Sequence, residues 1–441
     1  MIESFIQAGD RLRPVRKLAM TSPRGAVRAE GEAILGRPLM ARAELERRWV
    51  RFAPTAVAAG AIAVIFAGAT LPTPLYPLYR QAFGFDEVTL TLVFAVYVVG
   101  NLAALLLFGR VSDQVGRRPI IWLAIGVGLA STFAFAAAQS VEWLFAARTL
   151  SGLATGLGAG ATTAWITESM PKRDKAAAAS LAAIANFVGI ALGPLISGVL
   201  AAIAPWPLRL SYVVYLAMLA MTGLAVAAAP ETVEDRVGQF GELALRPRIG
   251  VPRHIRLAFV APAVTGFVTF ALVGFYAALV PNLLAESLQQ RSPAMAGAIA
   301  FELFMVAAVA VVATRRLSAR GAMLSALVVL VPTLALIVVA EIARSMTLLV
   351  AATALAGLAA ALGYRGSLEV INELAPDDRR SEVVSSYMIA LYLGNSLPVI
   401  GIGVLSRVMS PLLAHIVFAI AIALSAAAAL ALGARQTSAE G

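Results

Sequence analysis

The chain has 441 residues, 60% of them hydrophobic and only 14% charged, with a formal net charge of +10 and a mean hydropathy of +0.84. A soluble globular protein is nearer half apolar and a quarter charged, so too little polar surface remains here to cover water-soluble domains. With no cysteine, disulfides and thiolate chemistry are excluded, and the only histidines, His254 and His415, lie too far apart in sequence to suggest a metal cluster.

Residues 1–52 are Arg-rich and polar with no apolar core, so they do not read as a secretory signal. They are expected to be a basic cytoplasmic tail. Three readings stay open for it: a disordered segment, an amphipathic helix from Ala41 to Phe52 on the anionic inner leaflet, and translation starting at Met40. Apolar runs then follow at about 54–78, 88–108, 119–138, 143–167, 177–203 and 207–229. After a polar stretch at 230–256, six more lie at about 257–281, 294–313, 322–341, 346–369, 384–406 and 411–433. Each is long enough for the roughly 20 residues that a helix needs to satisfy its own backbone across a bilayer core. The expected fold is an all-α membrane protein of twelve transmembrane helices. It divides into a first bundle at 53–229, a central cytoplasmic loop at 230–256, a second bundle at 257–433 and a short cytoplasmic tail at 434–441.

Loop charges set the orientation. Alternate loops hold Arg110, Arg117 and Arg118; Lys172, Arg173 and Lys175; Arg236, Arg246, Arg248, Arg253 and Arg256; Arg315, Arg316 and Arg320; and Arg379 and Arg380. The loops between carry about one basic residue each, such as Arg80, Arg209, Arg291 and Arg344. The basic loops and both termini are therefore expected in the cytoplasm, with the chain multi-pass in a bacterial inner membrane. This distribution also accounts for the net positive charge without a nucleic-acid partner.

The two halves repeat. A shift of 205 positions places Gly116 on Gly321, Gly152 on Gly357, Gly158 on Gly363, Glu168 on Glu373, Pro171 on Pro376, Gly189 on Gly394 and Gly198 on Gly403. Parallel six-helix halves with a substrate site between them are one known transporter plan.

The loop after the second run reads Gly109-Arg110-Val111-Ser112-Asp113-Gln114-Val115-Gly116-Arg117-Arg118-Pro119. Here the chain resembles the major facilitator superfamily, whose signature loop G-x-x-x-D-x-x-G-R-[RK] is matched in full. Gly109, Asp113, Gly116, Arg117 and Arg118 are expected to form a gate. The glycines permit a tight turn, Asp113 suits a neighbouring helix N-terminus, and the arginines supply partners that break as the halves rock. In the second half Ser318 stands where the acid would be.

Arg148 lies inside the fourth run, followed by Gly152, Gly156 and Gly160. The resemblance links an arginine here to proton coupling; snorkelling toward the outer interface is the alternative. The fifth run contains Gly189, Gly193, Pro194, Ser197 and Gly198. It is similar to the G-x-x-x-G-P-x-x-G-G motif of the superfamily's twelve-helix drug/proton antiporters, with Ser197 replacing one glycine, and reads as a hinge and packing seam. The proline-rich end of the first run resembles the same antiporters, and Tyr76 and Tyr79 there are expected to be interfacial aromatics. Glu302 is the acid nearest the bilayer centre and, with Arg148, a proton-coupling candidate. Arg365 and Glu369, spaced i, i+4, are expected to pair. Tyr97, Trp165, Asn186, Tyr276, Tyr392 and Asn395 are candidate cavity residues by depth and polarity.

The resemblance implies alternating access. None of the three lysines belongs to a phosphate-binding G-x-x-x-x-G-K-[ST] loop, which leaves gradient-driven transport. The expected function is proton-coupled efflux of amphipathic or aromatic small molecules by a monomer with no cofactor, metal or enzyme activity. Uptake of a metabolite, or a sensor role, is the alternative.

Overall fold

In the computed structural model, which describes residues 53–108, 111–170, 174–233 and 249–438, each of the twelve apolar runs is a helix. The basic tail with its Ala41 to Phe52 stretch, Gly109, Arg110, Lys172, Arg173 and most of the central loop lie outside the described residues. The helices are α1 (Ala53–Phe83), α2 (Glu87–Phe108), α3 (Arg117–Ala136), α4 (Val141–Ser169), α5 (Lys175–Ile203), α6 (Leu210–Ala228), α7 (Arg256–Ala278), α8 (Pro293–Ala313), α9 (Ala319–Ile342), α10 (Met346–Leu374), α11 (Arg380–Leu405) and α12 (Pro411–Ser438). Eleven are long and apolar enough to cross a membrane. The other, α4, spans 29 residues but spends much of its length on glycine, threonine and Arg148. Large side chains such as Phe133, Leu224, Val309 and Leu424 are exposed at the helix surfaces, as a lipid-facing belt requires.

Two helices run past the ends read from hydropathy. Pro72, Pro74 and Pro77 each lack an N–H, and α1 tightens into a 3₁₀ turn at Thr73–Leu75 instead of stopping. It ends at Gly84, whose φ of +69° is the left-handed conformation that glycine tolerates. Beyond α7 a short helix, Val280–Glu286, follows a break at Leu279.

Lipid gives helices no hydrophobic reason to associate, so close backbone approach must hold them. The repeated glycines provide it, in matching places. A Cβ at Gly152 of α4 would strike the Tyr97 carbonyl of α2, and one at Gly357 of α10 the Leu303 carbonyl of α8. Gly189 of α5 lies against Ala63 of α1, as Gly394 of α11 lies against Phe267 of α7. Of the α4 glycines, Gly152 and Gly156 are such contacts, whereas Gly160 has open space beside it.

Pro194 leaves the Ile190 carbonyl without its helical donor. The Thr70 hydroxyl of α1 supplies one at 2.9 Å, and Gly193 lets the two backbones meet there. Thr70→Val keeps the shape and removes the donor. It should lower stability by about 0.6–1.7 kcal/mol, the range for such bonds between membrane helices, read as a lower apparent Tm in detergent. An unchanged Tm would show that the carbonyl needs no partner.

Candidate functional site

A cavity of about 580 Å³ lies between the halves, within the size range of small-molecule sites. Its walls come from α1, α2, α4 and α5 of the first half and from α7, α8, α10 and α11 of the second. The lining runs from Ala69, Arg148 and Ala277 at depth to Leu105 and Val384, close to the helix ends on the signature-loop side. Eight aromatic residues, among them Phe66, Phe94, Phe270 and Phe304, make it mostly apolar. A second hollow of about 700 Å³ at the opposite end is bordered by Arg80, Glu286 and Arg291. It lies at the helix ends, so the first is the candidate substrate site.

Of the expected cavity residues, Tyr97, Asn186, Tyr392 and Asn395 line this space. Trp165 and Tyr276 do not. Trp165 is 0% exposed between helices, and Tyr276 is 2% exposed with its hydroxyl 3.2 Å from Thr353 Oγ1. On helices apolar all round, depth alone does not reveal which face a ring takes.

Arg148 is only 2% exposed and lines the cavity, so it does not snorkel. Its Nη1 donates to the Ala69 carbonyl at 2.6 Å. The guanidinium sits 4.7 Å from the centre of the Tyr97 ring and 5.6 Å from that of Phe94, within cation–π range. Its Nε is buried without a partner.

At the signature loop, Arg117 is a buried hub. It pairs with Asp113 one turn back and with Glu168 at the end of α4, 2.7 Å away, and donates to Ser112. Arg118 donates to the Val226 and Ala227 carbonyls at the end of α6. These partners all belong to the first half, so among the described residues the arginines staple that half together and do not bridge to the second. At the N-terminus of α3 the anion's place does not go to Asp113, which is 59% exposed. Glu231 takes that place, accepting the backbone N–H groups of Arg117 and Arg118 at 3.0 Å each beside Gly116, whose φ is +118°. Burial pushes the Glu231 carboxyl up, but these donors, with the N–H groups of Val233 and Thr232, outweigh it and hold it below the usual carboxylate range. The cap is therefore charged at neutral pH and is lost only as pH falls through that lowered value. In the second half, Ser318 caps its own helix, accepting from Gly321 N–H at 3.1 Å, so α9 needs no distant acid. Arg365 pairs with Glu369 at 3.6 Å, as their spacing suggests, and donates to the Thr314 and Leu317 carbonyls.

The halves meet at the opposite end. Gly198 of α5 packs on Pro293 and Gly297 of α8, and Gly403 of α11 on Thr91 of α2. Two ion pairs cross the same seam with opposite polarity. Arg80 of the first half reaches Glu286 of the second at 3.0 Å, and Asp86 of the first half pairs with Arg407 of the second. Hydrogen bonds from the Thr89 hydroxyl and then from Arg407 hold the Asp86 carboxyl below the usual range, so this pair stays charged at neutral pH. Tyr76 and Tyr79 are not interfacial. Both are buried, and Tyr79 shares a 3.1 Å hydrogen bond with Tyr212, whose ring stacks on Phe135.

Glu302 is part-buried in α8, away from the cavity lining, and has no hydrogen bond or ion pair among the described residues. Sequence reasoning passed over Glu231, whose only signal was an acid just after the sixth apolar run. It also passed over the buried pair of Glu341 and His415, 2.8 Å apart, where Ser287 donates to the carboxylate.

The Major Facilitator Superfamily model matches residues 58–397. Over 144 residues, 32% of the chain, it is 28% identical to the quinolone resistance protein NorA of Staphylococcus aureus (strain N315), covering 37% of that protein. Over 157 residues, 35% of the chain, it is 27% identical to the multidrug resistance protein MdtL of Shewanella sp. (strain ANA-3), covering 39% of it. The matched stretch thus spans less than two fifths of either relative. The fold is similar to that of a bacterial homolog of the human lysosomal transporter Spinster, solved in an inward-facing, unoccupied conformation. The TM-score is 0.60 over 88% of this chain and 94% of that one, at 17% identity. With a family model matched over most of its length and this fold, the chain belongs to the Major Facilitator Superfamily and is a multi-pass membrane protein.

Proposed function

We propose that this transporter exports amphipathic or aromatic small molecules in exchange for protons, by alternating access, with the signature-loop end in the cytoplasm. The observation that carries the reading is the cavity: aromatic and apolar walls, a few amides, and access toward the loop end while the opposite end is held together. The local similarity to proteins named for quinolone and multidrug resistance supports export. The basic loops support the orientation, and in that orientation the conformation faces inward. Rocking would part the seam at Gly198, Gly403 and the two ion pairs, and bring the Asp113 loop toward the second half as its gate.

Orientation is tested on the chain itself, which has no cysteine to mask a label. Single cysteines at Ser140, Asp174 and Ser438 should divide cleanly. An impermeant maleimide added to intact cells should label position 140 and leave 174 and 438 untouched. External labelling at 174 contradicts the proposed topology.

For the proton, Glu302 is our proposed carrier: an unpaired carboxyl at membrane depth is costly to ionise and takes up a proton readily. Cells expressing the chain should accumulate less of a fluorescent aromatic efflux substrate than cells without it. In everted vesicles with an imposed pH gradient, Glu302→Gln should lose at least about tenfold of gradient-driven accumulation while keeping energy-independent exchange. Accumulation at the wild-type level in Glu302→Gln would place the coupling elsewhere. Equal accumulation in cells with and without the chain would overturn export.

A further inference from the structure

The charge inside the cavity is fixed and unbalanced. Arg148 is the only ionisable side chain among the described lining residues other than the tyrosines; no Asp, Glu, Lys or His shares the wall. A guanidinium is a fixed positive charge. Its described partners do not neutralise it: one carbonyl at 2.6 Å and the faces of Tyr97 and Phe94. Its Nε–H is buried and has no acceptor at all. A buried polar group left without a partner is costly, and a buried charge without a counter-ion more so.

We propose that the counter-ion is the substrate: the cavity takes amphipathic organic anions, with Arg148 binding a carboxylate or similar oxyanion and the aromatic walls holding an apolar body. This inference rests on the reading of this cavity as the substrate site and narrows its substrate class. Three observations converge on it. The guanidinium presents N–H groups in a planar fork that suits an oxyanion, at the deep end of the cavity. Asn186 and Asn395 put further amide N–H donors on the same wall, one from each half. The remaining lining, with Phe66, Phe270 and Phe304, favours an aromatic or aliphatic body.

The charge also discriminates. A neutral molecule of the same shape leaves Arg148 unpaired, and a cation meets a like charge in a low-dielectric space. Loaded with a monoanion the cavity is neutral; empty it carries one positive charge. Closing around substrate therefore buries less net charge than closing empty, which favours rocking of the loaded carrier over the empty one.

The test uses three probes that share one ring system: 2-naphthoate, its neutral amide 2-naphthamide, and the cation 2-naphthylmethylammonium. Binding to the full chain in lipid nanodiscs is measured at neutral pH. Naphthoate should bind at least about tenfold more tightly than the amide, the scale of one charge-assisted hydrogen bond, with the ammonium weakest. Arg148→Gln should abolish the preference, and Arg148→Lys should retain part of it. Absence of naphthoate binding, equal binding of the amide or the ammonium, or an undiminished naphthoate preference in Arg148→Gln each overturns the proposal. If Arg148→Gln does not fold, the comparison of the three probes on the unaltered chain decides alone. The direction of transport does not enter a binding measurement. Naphthoate preference without exclusion of substrate from cells would overturn export and leave the anion assignment standing. Exclusion of only neutral or cationic compounds, with no naphthoate binding, would do the reverse.

Discussion

Close backbone approach at glycine is the interaction on which the rest of this structure depends. Within each half, Gly152 on Tyr97 and Gly357 on Leu303 bring neighbouring helices to van der Waals distance where lipid supplies no other drive. Between the halves, Gly198 and Gly297 meet in the same way, and Gly403 seats Thr91. In the proposed transport cycle the first set persists, whereas the second comes apart. The difference lies in what surrounds them. The inner contacts are backed by hydrogen bonds such as Thr70 to Ile190, and the seam by two largely exposed ion pairs, each worth little in water. A seam built this way holds one conformation without locking it.

Charge is distributed to the same end. Acids and arginines at the signature loop satisfy helix ends and one another inside the first half: Glu231 at the start of α3, Arg118 at the end of α6, and Arg117 between Asp113 and Glu168. At the other end, Arg80–Glu286 and Asp86–Arg407 join the two halves, each half supplying one acid and one arginine. Between these layers, Arg148 is the one fixed charge among the described residues that line the cavity.

Much of this was legible in the sequence. The twelve spans follow from hydropathy because the backbone must satisfy itself in lipid, and α4 was found despite its polarity because its glycines and threonines interrupt no helix. The glycine repeat at 205 residues foretold matching contacts, since a position with no room for a Cβ in one half recurs in the other. Tyr97, Asn186, Tyr392 and Asn395 were found by depth and polarity. Trp165 and Tyr276 were misplaced by the same rule, because a helix apolar on every face gives no sign of which side looks inward. The seam was invisible for another reason: Arg80 and Glu286 are 206 residues apart, and Asp86 and Arg407 are 321 apart. No local pattern marks such pairs. Tyr76 and Tyr79 read as interfacial because hydropathy placed the end of α1 early, and the prolines bend that helix without ending it.

We propose that the seam opposite the signature loop opens and closes in every transport cycle. The most direct test is a reversible lock. Cysteines replacing Arg80 and Glu286, which pair across the seam, can be cross-linked in a chain with no cysteine of its own. The account predicts that oxidation or a short bifunctional thiol reagent stops transport, that reduction restores it where the link is a disulfide, and that single-cysteine controls stay active. Undiminished transport with the seam covalently closed would contradict it.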